Sequence, residues 1–365
     1  MKKYDVAAYI WPSYTGDEPR ARIFWEEGYG EWQTVKKMKP LFEGHLWPRK
    51  PLWGYVNEAD PYVMEMEIEA ATSHGINVFI YDWYWYDNKP FLEQCLDNGF
   101  LKARNNHKMK FYLMWANHTA NSMWDKRNAD LRIPIWEGGV DRKTFDFIVE
   151  RTIEKYFSHP SYYKINGKPV YMIYSVHDLV QGLGGAQQAR EALAHFRKRT
   201  EELGFPGLEL QYCVKGQKFI DMPLCDGTSL TDFVNTAGFD SGSLYQYRAM
   251  TLTNKPYPQI LEESLAECDR IAKTLAFPVY PHVSVGWDSN PRYNIFHDDV
   301  CLDNTPENVQ KAFERAKQYI DEHPELPAPL ITVNSWNEWT ETSYLQPDDL
   351  YGYGYLEAVK RVFLG

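Results

Sequence analysis

"PLITVNSWNEWTETSYLQPDD", residues 329–349, runs from an apolar, β-branched segment into two glutamates three positions apart, Glu338 and Glu341, in the company of Trp336 and Trp339. Residues 329–336 read as a buried strand, being short, branched and uncharged. Seven further runs have the same character: "VAAYIW" (6–11), "INVFIYDW" (76–83), "MKFYLMW" (109–115), "PVYMIY" (169–174), "LELQYCV" (208–214), a weaker "TDFVNT" (231–236) and "FPVYPHVSV" (277–285). Amphipathic segments separate them. Thr305 and Pro306 suit an N-cap and first helical position, with Val309, Ala312, Phe313, Ala316 and Ile320 on one face. Leu261, Leu265, Cys268, Ala272 and Leu275 follow the same period, as do Ala189, Leu193, Phe196 and Leu203, the last followed by Gly204 as a stop. Asp60 and Pro61 open another helix that Gly75 closes. Eight strands alternating with helices define an α/β fold, a single (β/α)8 TIM barrel over residues 1–365, in preference to an open sheet. Residues 12–58 and 116–141 carry little periodicity and read as long βα loops after strands 1 and 3, on the face where such barrels build their sites.

Composition narrows the partners. Aromatic residues make up 16% of the chain, with 13 Trp and 26 Tyr, more than packing needs, and such rings suit stacking against sugars. A formal net charge of −11 argues against nucleic acid, whose binding draws on clustered Lys and Arg, and makes a polyanionic substrate unfavourable. Cys95, Cys213, Cys225, Cys268 and Cys301 are odd in number and widely spread, without metal-ligand spacing, and read as reduced thiols. No segment approaches a membrane span. The N-terminal "MKKYDVAAYIWPSY" lacks a signal-peptide core, so the expected location is cytoplasmic, or secreted or periplasmic for a chain trimmed of its signal sequence.

The chemistry is expected at the strand ends. A helical turn after Trp336 would project Glu338 and Glu341 to one side, within reach of one substrate; strand-like continuation would oppose them. Paired carboxylates about 5–5.5 Å apart suit a retaining glycosidase, and roughly 6.5–9.5 Å an inverting one. The competing reading is a solvated helix start, where glutamates are favoured by the helix dipole. Strand 2 closes on Asp82, Trp83, Tyr84 and Trp85, strand 3 on Trp115, Asn117 and His118, and strand 7 runs into Trp287, Asp288 and Arg292. Aromatics joined by Asp, Asn, His and Arg meet the demands of a polyhydroxylated ring, whose faces stack and whose hydroxyls need paired donors and acceptors. Their duller readings are barrel plugs and, for Asp288 with Arg292, a loop-ordering ion pair. The candidate substrate-binding set is Tyr9, His45, Trp83, Tyr84, Trp115, Asn117, Tyr174, Trp287, Asp288 and Arg292, with His118 and His282 as further histidines in reach. There is no H-E-x-x-H, no G-x-S-x-G elbow and no phosphate-binding glycine spacing in "GLGG" (182–185), so no metal or cofactor is expected.

"WEEGYGEWQTVKKMKPLFEGHLWPRKPLWGY" (25–55), "HGINVFIYDWYWYDNKPFLE" (74–93), "FYLMWANHT" (111–119), "GWDSNPR" (286–292) and "NSWNEWTETSYLQPD" (334–348) together resemble the WbsX-like proteins, also described as glycoside hydrolase family 99-like domains. The resemblance covers most of the chain and implies a (β/α)8 barrel acting on glycans. Family 99 members are retaining endo-acting α-mannosidases and mannanases with a W-N-E-W-x-E-G motif, whose glutamates match Glu338 and Glu341. The resemblance implies Glu338 as a base on the sugar's own 2-hydroxyl, giving a 1,2-anhydro sugar, and Glu341 as acid/base. That chemistry requires a 1,2-trans linkage, as in α-mannosides and α-rhamnosides. Thr342 stands where the family usually has glycine, which bears on the turn after the acid. WbsX-like proteins are also labelled glycosyltransferases of polysaccharide synthesis. This chain has neither a Rossmann-like glycine fingerprint nor a D-x-D motif, and a non-catalytic glycan-binding barrel is the third reading.

Overall fold

The computed structural model describes residues 4–16 and 18–365. Eight strands form the central wall: β1 (Asp5–Ile10), β2 (Val78–Tyr86), β3 (Lys110–Trp115), β4 (Lys168–Ile173), β5 (Glu209–Val214), β6 (Ser241–Leu244), β7 (His282–Ser284) and β8 (Leu330–Asn334). All neighbouring strands are parallel, in the order β6-β5-β4-β3-β2-β1-β8-β7. The remaining seam, β6 to β7, is joined at Gly242 and Val279, where the Gly242 amide donates to Pro278 O (2.9 Å) and the Tyr280 amide to Gly242 O (2.8 Å). The sheet thus closes into the expected barrel.

Helices cover the outside: α1 (Pro61–Ser73), α2 (Arg142–Thr152), α3 (Ala186–Glu202), α4 (Leu230–Thr236), α5 (Tyr257–Ala272), α6 (Pro306–Glu322) and α7 (Gly354–Phe363). Two of their N-caps are those read from the sequence. Asp60 accepts from the Tyr62 amide at the start of α1 and Thr305 from the Asn308 amide at the start of α6, each followed by proline. Between β2 and β3 the helix is replaced by two short irregular turns, Cys95–Gly99 and Phe100–Lys102.

One strand lies elsewhere than the hydrophobic pattern indicates. Residues 231–236 belong to α4, capped by Ser229, with Leu230, Phe233 and Val234 buried at helical spacing. The sixth strand is "SGSL", whose small polar residues face a polar barrel bore. Ser241 Oγ donates to Glu209 Oε1 (2.8 Å), and Ser243 Oγ lies 2.6 Å from Thr332 Oγ1. A strand held by hydroxyl pairs inside a barrel carries no apolar signature.

Strand parity then decides which side chains reach the barrel mouth. In β2 the even positions Asp82, Tyr84 and Tyr86 point inward. Trp83 and Trp85 point to the helix layer, where Trp83 Nε1 donates to Glu93 Oε1 (2.7 Å) and the Trp85 ring packs 5.7 Å from Phe147. Trp115, in register with Trp83, likewise faces Phe145 of α2.

Candidate active site

The chain leaves β8 through a cis peptide between Asn334 and Ser335 and forms a tight hairpin, Asn337–Glu338 against Ser343–Tyr344, around the 3-10 turn Trp339–Glu341. The turn is helical in sense but is a hairpin tip, not the start of a helix. Thr342 closes it in the left-handed conformation (φ 55°). Its Oγ1 accepts from Trp47 Nε1 and donates to Asp288 O, both at 3.0 Å, so a threonine is held where glycine is the easier choice.

Both glutamates meet one cation. Arg292 Nη1 donates to Glu341 Oε1 (2.6 Å), Nη2 to Glu338 Oε2 (3.2 Å) and Nε to Glu31 Oε1 (3.3 Å). Glu31, from the long loop after β1, is completely buried and also accepts from Trp11 Nε1 (2.5 Å). Arg292 ends the 3-10 turn Asn290–Arg292, which Asp288 shapes by accepting from the Asn290 amide (2.9 Å) and side chain (2.7 Å). His45 completes this support: the Leu41 amide donates to its Nδ1, leaving Nε2–H to donate to Asp288 Oδ2 (2.7 Å). The Asp288 amide donates to Glu341 O (2.7 Å), tying the β7 and β8 loops together.

Tyr245, just past β6, places its hydroxyl 2.9 Å from Glu338 Oε1 and 3.0 Å from Asp82 Oδ2. Its ring packs edge-on against Tyr9 (4.9 Å) and Tyr174 (5.5 Å), and Tyr174 in turn meets His118 (5.5 Å). Tyr84 joins the same wall through His118 and Trp11. The Lys215 ammonium lies 3.4 Å from the centre of the Tyr174 ring. Tyr174, His118, Lys215 and Tyr245 are half-buried, whereas Glu338 and Glu341 are only 3% and 8% exposed; the carboxylates sit beneath the rings.

Burial and the charge of Glu341 push the Glu338 carboxyl well above the usual range, opposed by Arg292. Burial pushes Asp82 up as well, and lowers the His118 imidazole. Burial lowers Arg292, but Glu31, Glu341 and Glu338 more than restore it. Among the described residues, Glu341 Oε2 and Asp82 Oδ1 are buried without a hydrogen-bond partner. Among the described residues no group of three or more His, Cys, Asp or Glu is arranged to hold a metal ion.

A second acidic layer supports the hairpin from below. Asn337 accepts from the Trp11 amide (2.7 Å) and donates to Glu58 Oε2 (2.9 Å); Trp336 Nε1 donates to Glu67 Oε2 (2.8 Å). Gln346 donates to Glu58 (3.0 Å) and accepts from Trp339 Nε1 (2.7 Å). Burial pushes the Glu67 carboxyl up to about 8.

Of the residues singled out from the sequence, the structure therefore gathers Glu338, Glu341, Arg292, Tyr84 and Tyr174 at the mouth, with fully buried Tyr9 as floor and Asp288 and His45 as the frame behind Arg292. Asn117 is spent clamping β3 to β4, exchanging hydrogen bonds with the Ser175 backbone (2.7 and 2.8 Å). Trp287 packs under Arg248. His282 lies down in the bore between Thr332 and Ser284, its imidazole pushed down to about 3 by burial. Trp83 and Trp115 are not brought to the carboxylates at all, because they occupy outward positions of adjacent strands. The additional members are Glu31, Lys215 and Tyr245; Asp82, noted at the end of strand 2, joins them with the inward parity of Tyr84.

The two carboxylates thus stand after the last strand of a closed parallel barrel, at the C-terminal face where such barrels carry their sites. The chain belongs to the family described as Glycosyltransferase WbsX, whose match spans residues 6–359. Two proteins called WxcX, from Xanthomonas campestris pv. campestris strains ATCC 33913 and B100, are each 25% identical to it over 346 and 358 residues, 94% of this chain. The chain spans about half of their length, 47% in each case. Among solved structures, the GH99 endo-alpha-mannosidase from Bacteroides thetaiotaomicron shares the fold with a TM-score of 0.60 at 14% identity, covering 98% of this chain and 95% of that one. A glycoside hydrolase-like protein does so at 0.63 and 13%, covering 100% and 94%.

Proposed function

We propose that residues 1–365 form one catalytic barrel, a retaining glycoside hydrolase acting on 1,2-trans glycosidic bonds of the α-mannoside or α-rhamnoside type in oligo- or polysaccharides. The observation that carries this reading is the convergence of Glu338 and Glu341 on the single guanidinium of Arg292 at the mouth of β8. Glu338 removes the proton of the 2-hydroxyl as O2 attacks C1, and Glu341 protonates the departing glycosidic oxygen. Glu341 then takes a proton from water as the water oxygen attacks C1, and O2 recovers its proton from Glu338. Two inversions give net retention. Arg292 positions both carboxylates, and the half-buried rings of Tyr174, Tyr245 and His118 supply stacking faces at the entrance.

The family's description favours a second reading, transfer of the glycosyl unit to an acceptor hydroxyl in polysaccharide assembly. The same two carboxylates would serve, with an alcohol replacing water. A non-catalytic glycan-binding barrel would use the rings without needing both glutamates.

NMR of the first-formed product anomer tests these readings, with wild type and Glu341→Gln presented with aryl and oligomeric 1,2-trans glycosides, mannosides and rhamnosides first. A retained anomer from wild type, lost in the variant on unactivated substrates, is the expected result. A product glycosidically linked to an added acceptor identifies the transferase. Binding without turnover across the panel overturns both enzyme readings.

A further inference from the structure

The contact of one phenol with two carboxylates requires a proton the phenol cannot provide. Tyr245 has a single O–H, yet its oxygen is within 3.0 Å of both Asp82 Oδ2 and Glu338 Oε1. Two ionised carboxylates would leave one O···O contact without hydrogen, and a buried oxygen repelled at that distance has no reason to stay. One of the two carboxyls must therefore be protonated and donate to the phenol oxygen.

The surroundings differ at the two ends. Glu338 has a cation, Arg292 Nη2, on its other oxygen. Asp82 is 2% exposed and, among the described residues, makes no ion pair with a cation and leaves its Oδ1 without a hydrogen-bond partner. A charge at Asp82 would be desolvated with one hydrogen bond to offset it, whereas a neutral acid there leaves only a carbonyl-like oxygen unpaired. We propose that Asp82 is a neutral carboxylic acid that donates to Tyr245, directing the single Tyr245 proton onto Glu338 and holding Glu338 as an ionised acceptor. Burial pushes both carboxyls up; at Glu338 the Arg292 guanidinium opposes it, and at Asp82 the Tyr245 hydrogen bond does. Asp82 is then a positioning residue that acts through Tyr245. Its kinetic consequence rests on the reading of Glu338 as the base, while its protonation state does not.

Two measurements keep those separate. Infrared difference spectra at neutral pH, with protein 13C-labelled at the aspartate side-chain carboxyl, are compared among wild type, Asp82→Asn and Glu338→Gln. A protonated-carboxyl band that shifts with the aspartate label, vanishes in Asp82→Asn and survives in Glu338→Gln is expected. A band that ignores the label and vanishes in Glu338→Gln places the proton at the other end and overturns the proposal, whatever the protein hydrolyses. On a cleaved glycoside, Asp82→Asn retains a donor and is expected within about threefold of wild type. Asp82→Leu and Tyr245→Phe are each expected to lose tenfold or more in kcat with KM little changed, and their double variant to be no worse than Tyr245→Phe alone. Losses that multiply would show two independent roles and overturn the relay.

Discussion

Glu338 is a carboxylate that the fold makes expensive, and this separates its contribution to activity from its contribution to stability. Its folded-state proton affinity is raised, so wild type loses stability as pH climbs above the ordinary glutamate range, and an amide at this position does not. Glu338→Gln is therefore expected to melt at or above the wild-type temperature, by a margin that widens with pH, while turnover falls a hundredfold or more, roughly the general acid–base contribution. Calorimetry at two pH values beside the glycosidase assay checks both halves. Arg292 behaves oppositely. Arg292→Met leaves three buried carboxylates without their shared cation and is expected to destabilise the protein by ~3–5 kcal/mol in denaturant titrations, and Arg292→Lys to recover charge without the three-way geometry. At Thr342 the left-handed backbone costs ~1–2 kcal/mol. Its two hydroxyl hydrogen bonds return about as much. Thr342→Gly should thus leave stability within about 1 kcal/mol, while Thr342→Val, which keeps the strain and drops both bonds, should be clearly less stable by the same titration.

At the scale of elements, parity explains what the sequence could and could not convey. The apolar runs located seven of the eight barrel strands, caps followed by proline located the starts of α1 and α6, and the apolar period located α3 and α5, because burial and capping leave local marks. The fourfold meeting of Asp82, Tyr245, Glu338 and Arg292 leaves none, since each comes from a different strand end. Tyr245 was out of view because its strand, "SGSL", is polar, and Glu31 because it lies deep in an aperiodic loop. Trp83 and Trp115 drew notice as strand-end aromatics, yet a one-residue step along a strand separates them from the mouth. Trp83→Phe should accordingly leave kcat/KM within about twofold, while Tyr84→Ala, one residue on, should lower it more than tenfold. On α1, Glu67 makes the helix a pH-sensitive buttress. With its carboxyl at about 8 in the folded chain and near the ordinary glutamate value when unfolded, its contribution is complete at low pH and is lost as pH rises through about 8. The loss is at most ~1.4 kcal/mol per pH unit over that window. Glu67→Gln should flatten the fall in melting temperature between pH 5 and pH 9, about the limits of that window.

For the whole molecule, the barrel is held by its core and polar bore and not by cross-links: all five cysteines are free thiols, three of them buried. The wall is nevertheless uneven. Seven of its eight strand contacts are regular parallel ladders, and the eighth, between β6 and β7, is a single bridge at Gly242. Outside that seam lies a cavity of about 340 Å³ lined by Leu244, Cys268, Tyr280 and Ala312, and side chains supply much of the bonding across it: Ser243 Oγ donates to Tyr280 O (3.2 Å), the Tyr247 amide to Ser284 Oγ (2.9 Å) and the Tyr247 hydroxyl to His282 O (2.8 Å). The amide protons of Gly242 and Tyr280 should consequently trade with deuterium from solvent sooner than those of Ala8 and Ile80 in the β1–β2 ladder, through openings smaller than global unfolding. Tyr245 follows directly on this strand, so the phenol beside Glu338 is carried by the stretch of the wall that relies on side chains more than on backbone pairing.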